Sequence, residues 1–176
     1  MNQIYRHPKR KTKVVFVQLG SPSEPTTKAL RKYLRKFLGD PRVIDINPWL
    51  WKIILNFFVL PFRPKKSAKL YARIWDGESF PLITNTRDFT NNVREELKKI
   101  DPNGYVEVNH AFLLSPPYVN EVYDSWENDL KKGVGATKLL VIPMFPQYSE
   151  STIASGIDAL AKELSKRVKI PTFEVI

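Results

Sequence analysis

The sequence predicts a single α/β domain, built on one parallel β-sheet with helices on both faces. Three observations carry this. Short β-branched runs that lack strict polar alternation occur at 13–19 and 138–143, as expected of strands covered on both sides. Between them lie longer stretches whose apolar residues recur three and four positions apart, the mark of amphipathic helices. Alternation of these two kinds of segment implies parallel strands joined by helical crossovers, and 176 residues suffice for one such domain but not for two of ordinary size.

In chain order, residues 1–12 are polar and basic without periodicity and read as an unattached tail. Lys13-Val-Val-Phe-Val-Gln-Leu19, bounded by Gly20, Ser21 and Pro22, reads as a buried strand opening the domain over 13–176. Thr26 to Leu38 follows as a helix with Leu30, Leu34, Phe37 and Leu38 on one face, Thr26 or Thr27 as its cap, and Gly39 and Pro41 at its end. Residues 87–100 place Phe89, Val93, Leu97 and Ile100 on a second helical stripe, and 118–132 place Val119, Val122, Tyr123, Trp126 and Leu130 on a third. A strand is expected from about Tyr105 to Val108, running on towards Leu114, and another over Lys138-Leu-Leu-Val-Ile-Pro143. A last helix carries Ile153, Ile157, Leu160, Ala161 and Leu164 before a final strand at Phe173-Glu-Val-Ile176.

The net charge of +10 is uneven: residues 1–73 hold 17 Lys and Arg against three acidic residues, and the remainder holds 11 against 15. A surface polarised in this way attracts anionic lipid or carboxylate-bearing ligands, although a solvated basic face accounts for it equally well. No interleaved basic and aromatic motif, zinc finger or recognition helix is present, so no nucleic-acid partner is expected. The absence of cysteine excludes disulfides and thiolate metal sites. The basic N-terminus is not followed by an apolar stretch of signal-peptide length, which reads as a cytoplasmic protein.

In an open parallel sheet, ligands sit beyond the carboxyl ends of the strands, which directs attention to Gly20–Pro25, Leu114–Pro117 and Pro143–Thr152. The first has neither the GxGxxG pattern nor a Walker lysine, which excludes the usual nucleotide cradles; free amides there can hold an anion, or the segment is an ordinary turn. The third is a stiff two-proline loop opening into Tyr148, Ser149, Ser151 and Thr152, either a cleft-facing hydroxyl cluster or a capping serine beside a packed tyrosine. Residues 49–62 carry a single charge among large apolar side chains and precede Arg63, Lys65 and Lys66. Fourteen residues are too few to span a bilayer, so the segment is either a buried helix or an apolar lip on a membrane surface or ligand mouth. The two histidines, His7 in the tail and His110 near a strand end, have no carboxylate close in sequence, so no metal or catalytic role is assigned to them.

Taken together, Phe16-Val-Gln-Leu-Gly-Ser-Pro22, Pro25 to Ile44, Leu60-Pro-Phe-Arg-Pro-Lys-Lys66, Ile74-Trp75 and Pro146-Gln-Tyr-Ser-Glu-Ser-Thr152 resemble the first half of ferrochelatase, the enzyme that places Fe²⁺ into a porphyrin to finish haem. The resemblance runs from about Lys13 to Ile176. It implies a Rossmann-like, chelatase-type domain and a helix followed by a strand over Pro25 to Ile44. It implies too a lip at the cleft mouth that touches the membrane, and a tetrapyrrole-binding wall lined by Gly20, Ser21, Ser79, Tyr148, Ser149, Ser151 and Thr152. Porphyrin or haem is the implied ligand; no intrinsic cofactor is.

Two departures stand out. The family's Met-Arg-Tyr reads Phe112-Leu113-Leu114 here, and its Gly-Ser-Pro-Leu reads Ser79-Phe80-Pro81-Leu82. The family's second domain, with a His in a Ser-x-His-Gly-x-Pro turn and a distant Glu, has no counterpart in this sequence, and Gln18 and Leu19 at the comparable turn are not bases. Metal insertion needs an acceptor for two pyrrole protons, so the chain is expected to bind tetrapyrrole without inserting metal by itself. It would act with a carboxy-terminal domain, as a non-catalytic homodimer, or at a membrane surface through 49–62.

Overall fold

The computed structural model describes residues 11–133 and 135–176; the expected tail lies outside them except for Lys11 and Thr12. Four strands, β1 (Thr12–Gln18), β2 (Val106–Phe112), β3 (Lys138–Pro143) and β4 (Thr172–Val175), form one parallel sheet in the order β2-β1-β3-β4. The first strand starts at Thr12, which pairs with Val106 and Lys138, so Thr12 belongs to the sheet and not to the tail.

Alternation along β1 explains why it is apolar on both sides. Val15 and Val17 meet Tyr123 and Trp126 of α5 (Val119–Lys131) and Leu160 and Leu164 of α6 (Ser155–Leu164). Val14 and Phe16 face the opposite way, towards Val93 and Leu97 of α4 (Pro81–Ile100). The expected α/β architecture with helices on both faces is therefore the one observed. Lys13 is the exception in this strand: its side chain is 1% exposed, and its ammonium lies 3.2 Å from Glu107 and 3.7 Å from Asp129, the carboxylates that make its burial tolerable.

Helix α1 (Thr27–Leu38) is capped as its sequence predicts, with the Thr26 hydroxyl accepting from the Ala29 amide at 3.2 Å. It ends at Gly39, where a Cβ would press on the Arg35 carbonyl. A strand is absent after it: Pro41–Val43 form a turn, because Asp40 takes the amides of Val43 and Ile44 on its own carbonyl and that of Arg42 on its carboxylate. The chain then builds α2 (Pro48–Ile54), one π-turn over Leu55–Val59, and α3 (Arg63–Tyr71). Leu55 and Leu60 bury against Tyr33, Leu34 and Leu38 of α1, each contributing roughly 1.5–3 kcal/mol by leaving water.

Helix α4 begins six residues before the apolar stripe. Its first turns are closed by Thr86 and Thr90, whose hydroxyls donate to the carbonyls of Leu82 and Thr86 at 2.7 Å each and so enter the interior satisfied. Ile100, assigned by periodicity to the core, is 79% exposed at the helix end. Ile157 and Ala161 also face outward. They lie at the edge of a stripe whose centre, Leu160 and Leu164, is buried; the helix is entered through a π-turn at Glu150–Ala154.

Candidate functional site

The chain passes from β1 to β2 on one side of the sheet and then to β3 on the other, so the order reverses between β1 and β3. At such a reversal the loops leaving neighbouring strands diverge and leave a crevice at the carboxyl ends. Here Gln18, the last residue of β1, links the two loops: its side-chain Nε2 donates to the Met144 carbonyl at 3.0 Å while its side-chain Oε1 accepts from the Leu19 amide at 3.0 Å. Ladder-like bonds continue past the strands, from Met144 N to Val17 O and from Leu113 N and Leu114 N to Gln18 O and Leu19 O.

The turn after β1 depends on Gly20, whose φ of +92° is open to glycine and costly for other residues. A Cβ at Gly20 would also collide with the Ser115 hydroxyl, and it would lie 3.0 Å from Phe112 Cβ. Ser21 is buried and donates its amide to Ser115 Oγ at 3.3 Å, while Tyr33 donates its phenol to the Gly20 carbonyl at 3.4 Å. Burial, with the neighbouring Tyr71 phenol, pushes Tyr33 well above the usual tyrosine range and keeps it a neutral donor. The sequence marks the Leu114–Pro117 loop without singling out Ser115, and it places Gln18 at the turn only as a non-base; the contacts of both depend on neighbours remote in the chain.

After β3, the second cluster forms around Ser149. Its hydroxyl lies 3.0 Å from that of Ser151, and its carbonyl, instead of its side chain, caps the following turn by accepting from the amides of Thr152, Ile153 and Ala154 and from Thr152 Oγ1. Ser155 Oγ donates to the Glu150 carbonyl. The packed-tyrosine alternative for Tyr148 does not hold, since that ring is 69% exposed. The structure thus groups Gly20 with Ser21, and Ser149 with Ser151 and Thr152, on adjacent strand ends. Ser79 stands apart at the entry to α4, where its amide and that of Glu78 donate to Asp76 Oδ1 and hold that carboxyl below its usual range.

Residues 49–62 are not a buried helix. Trp49, Phe57, Phe58 and Phe62 are 78%, 70%, 67% and 73% exposed, while Leu55 and Leu60 anchor the segment to α1. Trp51 Nε1 donates to the Leu38 carbonyl and Arg31 Nε to the Leu60 carbonyl, completing the anchor. Among the described residues no helix is long and apolar enough to cross a membrane. At the root of the lip, Arg42 meets Asp158 of α6 through two bonds, Nε to Oδ2 at 2.7 Å and Nη2 to Oδ1 at 3.2 Å. The guanidinium holds the Asp158 carboxyl below its ordinary range.

His110 lies away from both clusters, on the outer strand β2. Its Nδ1 is buried without a hydrogen-bond partner, and burial, reinforced by Arg94 and Arg87, lowers its pKa and favours the neutral ring. Arg94 runs along the same strand, donating from Nε to the Val108 carbonyl at 2.8 Å and from Nη2 to Asn109 Oδ1 at 3.2 Å. No group of three or more His, Asp or Glu able to hold a metal ion occurs among the described residues. The leucines at 113 and 114 are half-buried, packing against the α5–α6 and α1 clusters respectively.

Comparison with known proteins bears on this arrangement. The family model for ferrochelatase matches residues 11–176. A ferrochelatase of Idiomarina loihiensis is 42% identical over 163 residues, covering 93% of this chain and 43% of the relative. A ferrochelatase of Marinobacter nauticus is 39% identical over 163 residues, 93% of this chain and 42% of the relative. A coproporphyrin III ferrochelatase of Streptococcus mutans is 40% identical over 167 residues, 95% of this chain and 50% of the relative. The chain spans about half the length of the curated relatives it matches.

Proposed function

The chain belongs to the ferrochelatase family, and from that premise we propose that it forms the amino-terminal wall of a tetrapyrrole-binding cleft used in haem biosynthesis. Gly20, Ser21, Tyr148, Ser149, Ser151 and Thr152 line that wall at the two turns, Ser79 is assigned to it from its separate place at the entry to α4, and porphyrin or haem is its ligand. The observation that carries this reading is the pair of turns at the carboxyl ends of β1 and β3, side by side at the sheet's reversal and bridged by Gln18. The half-buried hydroxyls of Ser149, Ser151 and Thr152 can bind the polar edge of a macrocycle, and the uncovered Tyr148 ring offers a face for stacking.

Iron insertion, with Fe²⁺ as the substrate, requires a base to accept the two pyrrole protons. The wall offers hydroxyls and an amide, none basic near neutral pH, and the imidazole of His110 lies on the outer strand. On this reading the isolated chain binds tetrapyrrole and leaves the metal step to groups it does not itself bring to the cleft. Titration of the purified protein into a micromolar porphyrin or haem solution should shift the Soret band. An unchanged spectrum would overturn the binding reading, and metallation of free porphyrin faster than in buffer would overturn its non-catalytic half.

A second element of the reading concerns partners. The exposed aromatics of 49–62, followed by Arg63, Lys65 and Lys66, support contact with a membrane surface. The β3 face turned towards α4 leaves Leu140, Ile142 and Met144 only half-buried, which favours a covering partner, either a carboxy-terminal domain or a second copy of this chain. Light scattering separates these: a strict monomer removes the homodimer.

A further inference from the structure

The lip is fastened to α1, yet the cleft proposed above lies at the ends of β1 and β3, and something must fix the distance between them. Among the described residues, one hydrogen-bonded link joins residues 39–75 to the chain after β3: Arg42 to Asp158, 116 positions apart. We propose that this pair is a positioning clasp that holds the root of the lip against the helix carrying the hydroxyl turn, and so sets how tightly the cleft takes a tetrapyrrole. The affinity half of this proposal rests on the tetrapyrrole reading; the holding half does not.

Three features make the pair a device and not a chance surface contact. The geometry is two-pronged, guanidinium edge to carboxylate edge, which fixes direction as well as distance. The arginine is itself aimed, since its amide donates to Asp40 Oδ1 at 2.8 Å in the same turn that Asp40 closes through its carbonyl. The aspartate sits one turn beyond the π-turn of Glu150–Ala154, so a displacement at Asp158 is transmitted through helix to Ser149, Ser151 and Thr152. Behind the turn, a cavity of about 280 Å³ lined by Pro41, Ile44, Pro48, Trp51 and Leu55 leaves the lip root room to shift once the clasp is cut.

The test compares Arg42→Ala, Asp158→Asn and the double variant with the unaltered chain by two readouts. Backbone hydrogen exchange is followed over residues 43–60 without ligand, and haem affinity is measured by Soret titration. All three variants should exchange faster over 43–60 and bind haem roughly two- to fivefold more weakly, the scale that an exposed ion pair commands. The double variant should do no worse than the weaker single, because the two residues act as one. Arg42→Lys, which keeps the charge but only one prong, should fall between. Thermal unfolding should be nearly unchanged, which separates loss of positioning from loss of fold. Unaltered exchange over 43–60 in the single variants, or losses that add in the double, would overturn the clasp. If the unaltered chain binds no haem, the tetrapyrrole reading and with it the affinity half are overturned, while exchange still decides the holding half.

Discussion

The two flanks of the proposed cleft are made in different ways. The wall at the ends of β1 and β3 is stitched by backbone bonds that extend the sheet, by a glycine with no room for a Cβ, and by the Gln18 bridge. The lip opposite has no ladder: two leucines and two side-chain-to-carbonyl bonds seat it on α1, and its largest rings face outward. The wall is therefore specified by conformation and the lip by surface chemistry, so the same class of substitution should do different damage in each.

The sharpest way to break that contrast is Gly20→Ala, which forces an L side chain into φ of +92° and against Ser115 and Phe112. A loss of about 2–4 kcal/mol in denaturant unfolding is expected, with part of it recovered in Gly20→Ala/Ser115→Ala, which removes the hydroxyl clash but not the dihedral strain. In the lip, Trp49→Ser with Phe58→Ser should leave folding stability within about 0.5 kcal/mol per site. Co-sedimentation with anionic liposomes should instead drop by roughly tenfold or more, since each ring withdrawn from lipid forfeits about 1.5–3 kcal/mol. Undiminished sedimentation would remove the membrane contact.

A smaller effect is expected from Gln18→Leu, which severs the bridge between the two turns: about 1 kcal/mol in unfolding, with weaker haem binding if the crevice widens. The smallest concerns His110. Its folded pKa lies below the usual 6.5, so above that value both states are neutral and stability is flat. As pH falls below it the unfolded chain takes up the proton first, and stability declines until the folded pKa is passed. Thermal midpoints measured between pH 7.5 and 5 should fall, and His110→Gln should flatten that slope.

Much of this was legible in the chain because it is local. The β-branched runs, the stripe of α5 and the Thr26 cap each depend on neighbours a few positions away, and each is where periodicity puts it. The start of α4 was illegible because its buried face is made of threonines that satisfy themselves against the preceding turn. The outward turn of Ile157 was illegible because periodicity marks a stripe, not which edge of it the neighbouring elements cover. Gly20 and Ser149 could be singled out from the turn sequences, but Ser115 and the Arg42–Asp158 pair are created by tertiary proximity alone. The absence of a strand near Arg42 follows from Asp40, whose backbone carbonyl and one carboxylate oxygen close a turn.

The path of Arg94 along the outer strand has a consequence for how this protein behaves in crowded solution. A border strand with free carbonyls is a template on which another chain can add itself, the first step towards aggregates. By taking the Val108 carbonyl and the Asn109 side chain, the guanidinium occupies that border with a charge that a newcomer would have to displace. Replacing it with an aliphatic residue would free the carbonyl for an intruding strand, and the cost would appear in shelf life and expression yield before it appeared in ligand binding.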